Sequence, residues 1–182
     1  IWYGCGWTNQ LCSVSSDRCR AWPPVPAEKW NNSVPCGDGE VILVDGAKRD
    51  RMIWPGDMGV SVSSLFATLG DTTAAKNAIN TLFDYQNRDT GQLPYVGLPI
   101  AGQHSSMTYS SDTYHLWAIV GACDLFNYLE FLASNSSSGD GWGEAHWLKL
   151  THALNFSVSK INASSGLMVV TAKADWARHG QG

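Results

Sequence analysis

Apolar residues recur three and four apart from Met58 through Val62, Leu65, Phe66 and Leu69, and Gly70 follows the last of them. That spacing predicts one buried helical face, stopped by the glycine. Asp71, Thr72 and Thr73 offer caps for a second helix, whose inner face would take Ala75, Ala78, Ile79, Leu82 and Phe83. A polar turn from Asn87 to Gly91 leads into an extended Leu93-Pro94-Tyr95-Val96. A third helix is expected from Ser111 or Asp112 to about Phe131. It is apolar nearly all round, which predicts burial on most sides. The Ser/Gly tract from Ser134 to Gly141 reads as a loop, and a fourth helix should span roughly Trp142 to Ile161. Upstream, Glu40 to Val44 is a short apolar run, expected as a strand or extended entry.

The pattern repeats. Thr90-Gly91-Gln92-Leu93 and Ser165-Gly166-Leu167-Met168 each follow the second helix of a pair, and their glycines stand 75 residues apart. The predicted unit is helix, loop, helix, glycine turn and extended exit, an αα-hairpin array that could stay open or close into a toroid. Two hairpins cover each other on one face only, so further neighbours are expected. The chain starts at Ile1 without Met or a signal peptide and ends in Gly180-Gln181-Gly182, which reads as a piece of something longer.

Residues 1 to about 40 differ from the rest. They carry Trp, Tyr, Pro and four cysteines without helical period, and are expected as a strand end followed by a disulfide-tied loop. Residues 41–182 would be the hairpins. Cys5, Cys12, Cys19 and Cys36 have no C-x-x-C pair and do not match zinc-finger spacing. Two disulfides are therefore expected in any of three pairings, with Cys123 a buried free thiol in the third helix. The sequons at Asn31, Asn135, Asn155 and Asn162 agree with secretion and glycosylation. A net charge of −4 offers no basic field for nucleic acid. The run from Leu116 to Leu132 is interrupted by Asp124, Asn127 and Glu130, too polar on this reading for a membrane span.

Chemistry concentrates between Asp45 and Asp57, where three carboxylates, three cations and Trp54 share one loop. Glycosidic cleavage needs such parts. A carboxylic acid protonates the leaving oxygen, other carboxylates hold hydroxyls, and an aromatic face packs on the sugar. A solvated loop of alternating charge is the plain alternative.

The string DGAKRDRMIWPGDMG resembles the signature of the α-L-rhamnosidases of glycoside hydrolase family 78, whose catalytic domain is an (α/α)6 barrel. The resemblance implies a mainly α fold in which this chain supplies the first hairpins, an inverting mechanism and no metal or organic cofactor. On the matching positions it implies Asp50 as proton donor, where the family usually has Glu. Asp45, Arg49 and Asp57 would hold rhamnose, and Trp54 would wall the pocket. Ala174-Asp175-Trp176 resembles a second family motif, which makes Trp176 another pocket wall, and the helix start Ser111 to His115 is a weaker match. The catalytic base would be a Glu outside these residues, so the implied partners are a rhamnosyl substrate and the rest of the same enzyme chain. His115 is read either as a hydroxyl partner in the pocket or as a hydrogen-bonded residue at the helix start. Trp117, Trp142 and Trp147 are read as core or hairpin contacts. An α/α-toroid glycosidase for another sugar and a non-catalytic carbohydrate-binding protein remain open readings.

Overall fold

Proline at a first helical position fixes φ where the N–H is not needed, and Pro55 occupies that place in the first predicted helix. The computed structural model describes residues 1–20, 33–48, 51–97, 110–134, 141–172 and 175. Among them the chain is mainly helical, with five helices and one two-stranded sheet. The elements are α1 (Trp2–Cys12), β1 (Ser13–Ser15), β2 (Val41–Leu43), α2 (Pro55–Leu69), α3 (Thr73–Asp84), α4 (Asp112–Ser134) and α5 (Trp142–Ser159).

Four of these helices follow from sequence. Gly70 ends α2 at φ +67°, and its N–H bonds the Phe66 carbonyl. Every apolar residue expected on the inner face of α3 is buried. Ser111 starts α4 by accepting the Tyr114 N–H on its hydroxyl at 2.9 Å. The repeated turns match bond for bond. Asn87 N–H meets the Gln92 carbonyl at 2.9 Å and Gly91 N–H meets the Asn87 carbonyl at 2.8 Å; the Asn162–Leu167 and Gly166–Asn162 bonds have the same lengths. Gly91 and Gly166 adopt φ of +83° and +68°, which only glycine takes at low cost.

The first forty residues depart from expectation. Residues 2–12 form α1, not a strand or loop, and β1 follows it to pair antiparallel with β2, Ser13 opposite Leu43. α1 docks through a polar contact: Asn9 is buried, and its amide donates to Ser64 Oγ at 3.1 Å and Thr68 Oγ1 at 3.0 Å on α2. Its Trp2, Tyr3 and Trp7 face outward. No apolar stripe therefore marked it as a helix. One disulfide, Cys19–Cys36, closes the loop after β1. The expected second bridge is absent: Cys5 and Cys12 are free on α1. Cys123 is free but exposed, because it lies on the outer side of α4.

One apolar core joins Cys19, Cys36, the sheet and the inner faces of α2 to α5. α2 and α4 approach closely through small residues. A Cβ on Gly59 would stand 2.2 Å from the Trp117 carbonyl oxygen, and one on Gly121 would stand 3.0 Å from Gly59 Cα. The expectation that α4 is covered on most sides fails, since Leu116, Trp117, Val120, Phe131 and Leu132 are exposed. Apolar periodicity reports a preference for leaving water, and the described residues supply a partner to one side of this helix only. By length and composition α4 could cross a membrane, so its polar interruptions do not exclude a span as the sequence reading held. In this fold α4 packs one side on α2, and Asp112 and His115 near its start are buried.

Candidate active site

The chemistry-bearing loop is closed by Asp45 itself. Its N–H donates to the Met52 carbonyl at 3.0 Å, and its Oδ1 accepts the Met52 N–H at 2.9 Å. Arg51, beside that closure, takes φ +44°, a left-handed conformation uncommon for a residue with a Cβ. Asp57 follows in the first turn of α2, where the helix dipole favours a carboxylate. The two carboxylates line one cleft of about 370 Å³, together with Ser61 on α2 and Tyr114 and Trp117 on α4.

Trp54 is buried behind this cleft. Its ring meets Tyr95 edge-on at 5.1 Å and Tyr114 at 6.1 Å, while Tyr95 and Tyr114 stack at 5.4 Å. Gly56 makes room for that stack, since a Cβ there would stand 2.6 Å from the Tyr114 ring. Among the described residues the aromatic groups that reach the cleft are thus Tyr114 and Trp117. Sequence reasoning missed the first and read the second as a core or hairpin contact. Their spacing of three on a helix puts them on one face, but nothing local says that the face meets Asp45 and Asp57. Of the other two tryptophans read as contacts, Trp142 is buried with its Nε1–H on Asn80 Oδ1 at 2.8 Å, whereas Trp147 is exposed.

The expected proton donor Asp50, its neighbour Arg49 and the expected wall Trp176 lie outside the described residues, as do the sequon asparagines Asn31 and Asn135. Burial pushes the Cys12 thiol's pKa up, and the charges of Asp45 and then Asp57 push it further. Among the described residues no group of three His, Cys, Asp or Glu side chains is arranged to hold a metal ion.

Asp45 has a structural duty besides any contact with substrate, and the two can be separated. Asp45→Ala deletes the acceptor for the Met52 N–H and should cost about 1–2 kcal/mol in urea unfolding. Asp45→Asn keeps an acceptor oxygen and should cost under about half of that. Equal losses would show that charge, and not the Met52 bond, holds the loop.

His115 takes the hydrogen-bonded alternative. It is buried, Nδ1 accepts the Leu93 N–H at 3.0 Å, and Nε2–H donates to the Ala153 carbonyl at 2.9 Å. Burial pushes its pKa below the usual 6.5, so the folded ring is neutral. The unfolded chain takes up a proton near its ordinary pKa and the folded chain does not. This contribution to stability is therefore intact above about pH 6.5 and falls away as the pH drops below it. Unfolding free energy should decline from pH 7 to 5.5 more steeply in the wild type than in His115→Gln. Parallel slopes in the two proteins would contradict the assignment.

The segment after α5 returns to the start of α4. Asp175 accepts from the Ser111 hydroxyl at 2.6 Å, Asp112 N–H at 2.8 Å and Thr113 N–H at 3.3 Å, the three residues immediately before Tyr114 of the cleft wall. Burial raises the Asp175 pKa, but the hydrogen bonds from Ser111, Thr113 and the backbone outweigh it and hold the carboxyl below its usual range. No family model matches the chain, and no curated protein matches its sequence.

Proposed function

We propose that the chain is the opening part of the catalytic domain of a secreted exo-acting glycoside hydrolase that releases terminal α-L-rhamnose with inversion. One observation carries this reading: Asp45 and Asp57, twelve residues apart in sequence, line a single cleft beside two aromatic side chains. A neutral, hydroxyl-rich ring suits such a lining, because carboxylates accept from its hydroxyls while Tyr114 and Trp117 take its C–H face. In the proposal Asp50 protonates the leaving oxygen and Arg49 steadies the carboxylates. Trp54 backs the pocket through Tyr114, and Trp176 completes the wall. A Glu from a later hairpin activates water from the opposite side, with the two carboxyl groups roughly 6.5–9.5 Å apart.

The resemblance in the Asp45–Asp57 loop points to an (α/α)6 barrel, and the matching turns at Asn87 and Asn162 agree with stacked hairpins. Further hairpins would cover the outer side of α4, where Leu116 and Val120 are exposed. The Cys19–Cys36 disulfide is compatible with an oxidising compartment.

The full natural chain should be offered a panel of nitrophenyl glycosides, with the anomer first released followed by NMR. Hydrolysis of the α-L-rhamnoside to the β-sugar supports the proposal. Cleavage of a different glycoside with none of the rhamnoside favours another toroid glycosidase, and binding without turnover favours a carbohydrate-binding protein.

A further inference from the structure

Asn155 and Asn162 both open N-x-S sequons, yet the fold treats them in opposite ways. Asn162 Oδ1 accepts from the Ser164 N–H at 2.9 Å, the Ser164 hydroxyl at 2.6 Å and the Ser165 N–H at 3.1 Å. With the oxygen so engaged, the amide nitrogen Nδ2 is left as the reactive end of an exposed side chain, and Ala163 and Ser164 are exposed as well. Asn155 sits within α5. Residues two apart on a helix do not face each other. The Ser157 hydroxyl points into the core accordingly, and it is buried with no hydrogen-bond partner among the described residues.

We propose that Asn162 is an N-glycosylation site and that Asn155 is not, an inference that rests on the secreted reading and sharpens it. The donor is a lipid-pyrophosphate-linked oligosaccharide. Nδ2 forms a bond to its anomeric carbon, and the bond from that carbon to the pyrophosphate oxygen breaks. The lipid pyrophosphate leaves with the electron pair, and one amide proton passes to a base of the transferase. The transfer needs the hydroxyl two residues on beside the acceptor amide. At Asn162 the folded turn already brings them together.

That turn is local. Its frame is closed by bonds between residues 160 and 169, including Val169 N–H to the Lys160 carbonyl at 2.8 Å, so it can form before the rest of the chain has packed. The equivalent turn at Asn87 has the same frame with Asp89 where Ser164 stands, so the acceptor signal is added to one copy of a shared scaffold.

The test is to express the full chain behind a secretory leader in a eukaryotic host and to map its glycopeptides by mass spectrometry. Asn162 should carry a glycan and Asn155 none. Ser164→Ala should lose that glycan while Asn162 is still present, and Ser164→Thr should keep it. A bare Asn162, or a glycan on Asn155, overturns the proposal. The leader delivers the chain to the secretory pathway wherever the natural protein resides. Such a result would therefore leave the secreted reading untouched; that reading falls only if the natural host retains the protein inside the cell.

Discussion

Asp112→Asn should lower the unfolding free energy by about 3–5 kcal/mol, the range for breaking a buried ion pair by removing one partner. Asp112 is 1% exposed, and its side chain joins three separate parts of the fold. Oδ1 accepts from Lys160 Nζ at the end of α5, while Oδ2 accepts the N–H groups of Thr171 at 2.9 Å and Ala172 at 3.1 Å. An amide in its place cannot satisfy all of these. It removes the counter-ion of a lysine whose side chain is only 15% exposed, and turning its oxygen to either side points its NH2 at donors on the other. Lys160→Met in the same chain should recover part of the loss, because the stranded charge is then gone, but the Thr171 and Ala172 N–H groups keep the recovery incomplete. Chemical unfolding of the two single variants and the double variant gives the comparison. A loss below about 1 kcal/mol for Asp112→Asn would mean that the network contributes little.

This network also shows where sequence reasoning stopped. The helices α2 and α3 were legible because their apolar faces are continuous and Gly70 punctuates them. α1 was not, because it is held by Asn9 hydrogen bonds while its tryptophans face out. Four crowded cysteines suggested two bridges. Cys5 and Cys12 instead fall on that same unread helix, which left Cys19 and Cys36 as the pair closing a loop. In the site, Asp45 and Asp57 were visible because they share one charged loop. Tyr114 and Trp117 reach the same cleft only through the close approach of α4 to Gly56 and Gly59 on α2. Such a long-range contact leaves no periodic trace in the chain. The ties from Asp112 to Lys160 and from Asp175 to Ser111 are of the same kind, each joining residues more than forty positions apart.

If Asp50 is the proton donor we propose, Asp50→Asn in the full natural chain should reduce kcat at least about 10²-fold and leave KM nearly unchanged, as expected when a general acid is lost and substrate binding is not. The charges around this position make the role demanding. Arg49 and Arg51 flank it in sequence and favour a carboxylate, whereas a proton donor must hold its proton at the working pH. In the proposal Asp50 joins the cleft that Asp45 and Asp57 line, where two carboxylates would disfavour a third negative charge and so act in the other sense. The role also predicts the pH profile. A general acid works in its protonated form, so kcat should fall as the pH rises through its pKa, and Asp50→Asn should flatten that basic limb. A rhamnoside whose leaving group departs without protonation should lose much less activity in the variant than a natural alkyl glycoside, because the missing proton was never required. Asp57→Asn is the control: in its proposed role of holding the sugar it should chiefly raise KM for both substrates. If Asp50→Asn kept full activity on the natural glycoside while Asp57→Asn lost the basic limb, the proton donor would be Asp57.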